Sequence, residues 1–189
     1  FSYLTKWADP QNSSLSDDKK SSLRLQAFKH SNTLTFSNFN ANIPFGADIH
    51  GIEVFVEGQS TIFTSIAEIN VLLHSKNKTI LSQNKANTAT LQKPWAPVQD
   101  SKDKKWRYGG QTDKWETSFS STDINREDFS FDIQVRNTTA SEITAFIDDV
   151  SIIVHYTPLY SFCKDSCVVF YVDRGLSGHS YQWHVPENF

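Results

Sequence analysis

Residues 49–57, Ile49-His50-Gly51-Ile52-Glu53-Val54-Phe55-Val56-Glu57, decide the fold class of this chain. One side of this stretch carries Ile52, Val54 and Val56, and the other carries Glu53, Phe55 and Glu57. Apolar residues at every second position predict a β-strand with one buried face, because neighbouring side chains on a strand point in opposite directions. The same alternation returns in residues 22–37, 66–74, 129–136 and 144–157. We therefore expect an all-β fold.

The composition agrees with this fold class. Of the 189 residues, 14 are Phe, 6 are Tyr, 5 are Trp and none is Met, and aromatic side chains suit pleated, half-buried surfaces. Long helical runs are missing between the expected strands, so the strands should pair mainly antiparallel. The prediction is an antiparallel two-sheet β-sandwich with one short helical turn at residues 122–127, capped by Ser121 or Thr122.

One predicted strand breaks its own alternation. Within residues 144–157, Asp148 shares the parity of the apolar Val150 and Ile152. Either a β-bulge between Ile147 and Val150 resets the register, or Asp148 is buried and accepts backbone hydrogen bonds. We favour the buried carboxylate.

Residues 84–113 are expected to be irregular, because they contain two prolines and a pair of adjacent glycines. This segment and its surroundings carry the aromatic residues Trp95, Trp106, Tyr108 and Trp115. Two interpretations stay open: the rings stack on the faces of bound sugars, or they fill the end of the sandwich. Burial is the favoured alternative, because it is the commoner fate of tryptophan.

Several short motifs follow one another along the chain. They are Ile43-Pro44, Ile49-His50-Gly51-Ile52-Glu53-Val54, Tyr108-Gly109-Gly110 near Trp115, Asp123-Ile124-Asn125, and Ile147-Asp148-Asp149-Val150 leading to Tyr156. The series resembles jelly-roll domains of secreted surface proteins, phage structural proteins and carbohydrate-binding modules. It covers residues 1–157 and implies a jelly-roll-like architecture without specifying an activity, because such folds host many functions.

Motifs of the common catalytic types are missing from the sequence. It has no H-E-x-x-H, no G-x-S-x-G and no phosphate-binding glycine loop, so we expect no enzyme, no metal and no cofactor. The net charge of −3, with interspersed signs, argues against a nucleic-acid partner. No apolar run approaches the roughly 18 residues that span a bilayer, so we expect no membrane insertion.

Asn-linked glycosylation motifs and cysteines both indicate an extracellular or cell-surface location. The three sequons, at Asn12, Asn77 and Asn137, fall in expected loops. Cys163 and Cys167 favour a small disulfide loop, in preference to a zinc site completed by His179 and His184. The chain begins at Phe1 rather than Met, which indicates a mature or truncated product.

Pro158 marks the expected boundary between a sandwich domain, residues 1–157, and a C-terminal β extension, residues 158–189. The extension contains an apolar, β-prone run made of Val168, Val169, Phe170, Tyr171 and Val172. Such a strand needs a partner. It either extends its own sandwich, which is the simpler alternative, or adds to a neighbouring subunit.

The leading functional hypothesis is a non-catalytic extracellular structural glycoprotein, a subunit of a surface appendage, fibre or layer that assembles by β-strand addition. Its expected partner is another copy of the chain or another surface protein. A carbohydrate-binding or adhesive module, with glycans as partners, is the alternative. A glycoside-active enzyme built from distant carboxylates is the second alternative.

Overall fold

The computed structural model describes residues 5–88, 95–98 and 105–159. The strands are β1 (Ser21–Leu25), β2 (Leu34–Ser37), β3 (Asp48–Ser60), β4 (Ile66–Ser75), β5 (Ile80–Leu81), β6 (Ala96–Pro97), β7 (Lys105–Gly109), β8 (Ser130–Asn137) and β9 (Ile143–Thr157). A short 3-10 helix covers Pro10–Ser13, and a one-turn helix, α1, covers Ser121–Ile124. The chain divides into a compact unit, Phe1–Pro158, and a second unit, Leu159–Phe189, and the following description concerns the first.

The strands form two sheets. The larger sheet has the order β1-β9-β3-β6, with β7 also paired to β3, and the smaller sheet has the order β2-β8-β4-β5. The pairs are antiparallel, except for the short parallel contact of β3 with β6. The predicted antiparallel two-sheet sandwich is confirmed.

The core is built from the alternating apolar residues of both sheets. Ile52, Val54 and Val56 of β3 belong to the same buried cluster as the apolar residues of β8. Burial of these side chains supplies the main driving force for folding, at roughly 25 cal/mol for each Å² of apolar surface removed from water. The three residues that the alternation in 49–57 predicts on one face, Ile52, Val54 and Val56, are therefore core residues.

A β-bulge interrupts β9 where the parity of Asp148 is anomalous. Val56 pairs with Val150 and Gly58 pairs with Ile147, so that two residues of β9 face Glu57 alone. Asp148 is also buried. The register shift and the burial of Asp148 therefore both occur, and backbone hydrogen bonds to its carboxylate stay a prediction.

A second bulge shifts β4. Glu68 pairs with Val135, while Asn70 pairs with the preceding residue of β8, Gln134, and Ile69 is the extra residue. Because directly paired residues point to the same side, Glu68 lies on the core side with Val135. Strict alternation within residues 66–74 predicts Ile69 on the same face as Val71 and Leu73, but the bulge shifts it and Ile69 is only half-buried.

Some local predictions also change. The segment expected to be irregular contains β7, which pairs with β3 over five residues. The aromatic and Thr residues of 115–119 predict an extended segment, but residues 115–117 form a turn in which Trp115 and Glu116 have φ angles of 58° and 50°. Helix α1 starts one residue before the predicted turn, and its N-cap is Ser120, whose side chain forms a capping box with Asp123.

The hairpin predicted around residues 75–78 is confirmed by the pairing of β4 with β5. His74, at the end of β4, was expected to face solvent because it lies opposite the apolar parity. It is buried instead. The outer face of the smaller sheet is therefore not simply a solvated surface.

Candidate functional site

The predicted aromatic group lies mainly inside the sandwich. Trp95, Tyr108 and Trp115 are each at most 1 % exposed, and Trp106 is half-buried against the core. Sugar stacking needs an open ring face. The favoured interpretation, burial, is confirmed for these three rings, and they do not form a sugar-binding platform.

Trp115 packs closely against the backbone at Ile52 and Gly109. Its indole Nε1 donates a hydrogen bond to the Ile52 carbonyl oxygen over 2.8 Å, and the Lys85 ammonium lies 5.4 Å from the ring centroid. Gly109, with φ of 76°, leaves no room for a Cβ beside the Ile52 carbonyl and the Trp115 indole. The motif Tyr108-Gly109-Gly110 near Trp115 therefore has a packing role.

Tyr108 and Glu68 form a polar contact that joins the two sheets within the core. The Tyr108 hydroxyl donates to the Glu68 carboxylate, which also accepts from the Asn87 backbone N–H over 2.7 Å. Burial, together with the adjacent Glu68 charge and hydrogen bond, raises the pKa of Tyr108 well above its usual value. Tyr108 thus remains a protonated donor, and sequence reasoning missed its partner because a bulge brings Glu68 inward.

The sequon at Asn137 is built into the fold. Asn137 is 1 % exposed, and its side-chain amide donates to the carbonyl oxygens of Leu25, Gln26 and Ser141. Its Oδ1 accepts from the backbone N–H and hydroxyl of Thr139, each over 2.8 Å. The Asn137 amide is therefore engaged by the fold, and glycosylation at Asn137 stays a prediction.

The other two sequons lie in more open positions. Asn77 is exposed in the turn between β4 and β5, whereas Asn12 is half-buried in the 3-10 helix. The Asn12 amide donates a long hydrogen bond, 3.5 Å, to the Lys20 carbonyl oxygen. Asn77 is the best-placed acceptor of the three.

A group of carboxylates lies on the outer face of the larger sheet. It consists of Glu53, Glu57, Asp148 and Asp149, each at most 7 % exposed. The β9 bulge places both aspartates opposite Glu57. Adjacent residues such as Asp148 and Asp149 point to opposite faces in a regular strand, and a bulge removes this alternation.

Basic and polar side chains cover this carboxylate group. Lys105 Nζ lies 2.8 Å from Asp149 and 3.8 Å from Glu57, and Arg107 lies 3.8 Å from Glu53. The Ser16 hydroxyl donates to Glu57 over 3.5 Å. These contacts tie the carboxylates to neighbouring basic and hydroxyl groups on the face of the sheet.

A second charged network lies on the outer face of the smaller sheet. Asp132 accepts from the Thr35 hydroxyl over 2.6 Å and from Lys78 over 3.0 Å, and His74 Nε2 lies 3.2 Å away. Burial alone would raise the pKa of Asp132, but the contacts with Thr35, Lys78 and His74 outweigh it and lower the pKa. The network ties β2, β8 and the β4–β5 hairpin together.

The edges of the two sheets differ in how they are covered. The free side of β1 is occupied by Ala8, which exchanges two backbone hydrogen bonds with Ser22. In the part of the chain that the structure describes, β2 (Leu34–Ser37) pairs with β8 alone. Thr5 hydrogen-bonds His30 and Asn32 just before β2, and β2 itself has no second strand partner among the described residues. Such an edge can accept a further strand.

A small surface pocket lies at the end of the sandwich where β3 begins. Its volume is about 280 Å³, and its lining includes Asp48, Lys114 and Phe119. Lys114 Nζ lies 3.7 Å from Asp48. The pocket is smaller than most small-molecule sites, and its charged groups are already paired.

The remaining predicted sites lie outside the described residues. They are the cysteines Cys163 and Cys167, the histidines His179 and His184, and the apolar run Val168, Val169, Phe170, Tyr171 and Val172. Within the described ranges, no group of three or more His, Cys, Asp or Glu side chains is placed to hold a metal ion. The same ranges contain no helix long and apolar enough to cross a membrane.

The fold defines an all-β, two-sheet sandwich protein. In comparisons with known proteins, the sequence matches no family model and no curated protein sequence. The resemblance to jelly-roll domains, and the functions that it implies, stay predictions.

Proposed function

We propose that this chain is a non-catalytic structural subunit of an extracellular assembly, joined to its neighbours by β-strand addition. The supporting observation is that β2 is an edge strand, which pairs with β8 alone among the described residues. Backbone groups along such an edge hydrogen-bond an incoming strand and supply much of its affinity. At the edge strand β1, Ala8 exchanges two backbone hydrogen bonds with Ser22.

The apolar run at residues 168–172 is the proposed donor. It has five residues, and the acceptor strand β2 has four, so the two segments match in length. If each subunit donates its strand to the next without closing a ring, the product is a fibre. The donor's role rests on its sequence alone.

An extracellular location is part of the same proposal. Asn77 is exposed at a hairpin turn, as an oligosaccharide acceptor must be. The cysteine pair, Cys163 and Cys167, suits an oxidising compartment. Carbohydrate binding through Trp95, Tyr108 and Trp115 finds no support in the geometry, because those rings are buried.

Charged substitutions in the donor test the proposal. In the full chain, Val169→Asp combined with Phe170→Asp puts one carboxylate on each face of the donor strand, because successive side chains alternate. We expect concentration-dependent assembly, measured by sedimentation velocity and electron microscopy, in the unaltered protein and its loss in the double variant. The matched control is Leu81→Asp combined with Val98→Asp, at apolar positions that are already exposed, and it should still assemble.

A change in the acceptor edge provides an independent arm. Ser37 is exposed on β2, and a lysine on an edge strand disfavours pairing with another strand. Ser37→Lys should weaken assembly, whereas Thr122→Lys, at an exposed position of α1, should not. A chain that stays monomeric at high concentration, or assembly indifferent to the donor substitutions, contradicts the proposal.

A further inference from the structure

Three loops meet at one end of the sandwich, which we call the apolar end: residues 26–33, 61–65 and 138–142. Asn137 and Thr138 connect them. The Asn137 amide donates to the Gln26 carbonyl oxygen over 3.0 Å, and the Thr138 backbone N–H donates to the Ser65 carbonyl oxygen over 2.9 Å. The apolar end is therefore one surface assembled from separate parts of the chain.

Large apolar side chains project from this surface. Phe28 is 63 % exposed, Phe63 is 52 % exposed and Ile62 is 38 % exposed. Phe28 lies in the β1–β2 connection and the other two in the β3–β4 connection. These loop residues face water in the isolated domain, and clustered exposed apolar residues mark interaction surfaces.

The charges around the apolar end are mainly positive among the described residues. Lys29 and Arg136 are exposed, and within the described residues neither forms an ion pair. The single carboxylate in the three loops is Glu142, and it is paired with Arg24 over 2.6 Å. Among the described residues this surface therefore carries a positive net charge, although the whole chain carries a net charge of −3.

We propose that the apolar end docks on the surface of an anionic lipid bilayer. Phe28, Ile62 and Phe63 would enter the boundary between headgroups and acyl chains, while Lys29 and Arg136 contact anionic headgroups. A symmetric contact between two copies is disfavoured, because it would bring the same cations together. This peripheral mode requires no spanning segment, and it is independent of the strand-addition proposal.

Co-sedimentation of the full chain with vesicles tests this proposal. We expect binding to phosphatidylcholine vesicles that contain phosphatidylserine, and binding that weakens as salt is added. Phe28→Ala and Phe63→Ala should each lower the partition coefficient about tenfold, since most of an aromatic side chain's apolar surface is lost. Lys29→Gln and Arg136→Gln should each lower it about fivefold.

Phe45 is the matched control. It is 88 % exposed and lies in the β2–β3 connection, whose neighbouring Gly46 backbone N–H donates to the Ser121 hydroxyl. That connection is at the opposite end of the sandwich, because β2 runs from its pairing with Ile133 towards its pairing with Ser130. Phe45→Ala should therefore leave vesicle binding unchanged.

A spectroscopic arm reports contact with lipid directly. Tryptophan fluorescence of a Phe63→Trp variant should gain a component that brominated lipids quench, and that of a Phe45→Trp variant should not. The proposal is overturned if phosphatidylserine vesicles do not bind the chain, or if Phe45→Ala reduces binding as much as Phe28→Ala. Self-association that is lost in Phe28→Ala, without vesicle binding, would also overturn it and assign the surface to a second copy.

Discussion

The side chain of Asn137 joins β1 to the β8–β9 loop. Its amide reaches the carbonyl oxygens of Leu25, Gln26 and Ser141, and its oxygen accepts from Thr139. The sequence predicted a loop and a modification signal at this position. The loop prediction is close, since Asn137 ends β8. A three-residue motif, however, cannot show that the side-chain amide of Asn137 hydrogen-bonds carbonyl groups more than a hundred residues away.

Replacing Asn137 by Asp tests this structural role. Asn137→Asp removes the amide donors and sets a carboxylate against carbonyl oxygens, so we expect the free energy of unfolding to fall by about 2–3 kcal/mol. Asn77→Asp is the control, because Asn77 is exposed and Asp tolerates its left-handed backbone conformation, with φ of 52°. Urea titration of both variants gives the comparison, and equal stabilities would contradict the role assigned to Asn137.

Strand β7 illustrates which elements the sequence could predict and which it could not. Long strands such as β3 and β9 have many alternating positions, and their periodicity identified them. In β7, Trp106 and Tyr108 alternate with Lys105 and Arg107, but the strand is short and ends at two glycines. Its formation depends on pairing with β3 and on Gly109 passing close to Trp115, and these are contacts that no local pattern contains.

Adjacent glycines at the end of β7 give a matched pair of variants. Gly109→Ala places a methyl group against the Ile52 carbonyl and the Trp115 indole at a φ of 76°, so we expect a loss of more than about 3 kcal/mol of stability. At Gly110 the nearest atom to an added Cβ is 3.8 Å away, so Gly110→Ala should be tolerated. Thermal unfolding followed by near-UV circular dichroism measures both, and similar melting temperatures would refute the close packing described here.

Across the whole molecule, both outer sheet faces contain buried charges. The carboxylate group of the larger sheet faces Lys105 and Arg107, and Asp132 of the smaller sheet faces Thr35 and Lys78. Sequence alternation indicated that these positions, except that of Asp148, lie opposite the core. It could not indicate that they are covered, because their partners come from other strands and loops.

The lowered pKa of Asp132 predicts a loss of stability in acid. Its pKa in the folded state lies below the usual value. The ionised carboxylate therefore contributes fully to the free energy of unfolding above the unfolded-state pKa of about 3.9, and this contribution is lost as pH falls further. Asp132→Asn should cost about 1–3 kcal/mol at pH 7, because it weakens a buried network. Denaturant titrations should show that the difference in free energy of unfolding between the variant and the wild type is smaller at low pH than at pH 7.

Exposed Glu116 supplies the reference for that experiment. Glu116→Gln removes a carboxylate that is exposed to solvent, and we expect little change at either pH. If the difference in free energy of unfolding between Asp132→Asn and the wild type stays constant with pH, the ionised carboxylate does not stabilise the fold.

The pairing of β1 with β9 means that β1 can take its place in the sheet only after β9 has been synthesised. Ser21 lies beside Ile147 and Leu25 beside Ile143, so a strand made early must wait for one made more than a hundred residues later. Loop closure over such separations slows folding. The apolar faces of β3 and β4 therefore gain their β9 and β8 neighbours only after most of the chain has been made, and exposed apolar strands of this kind are prone to aggregate.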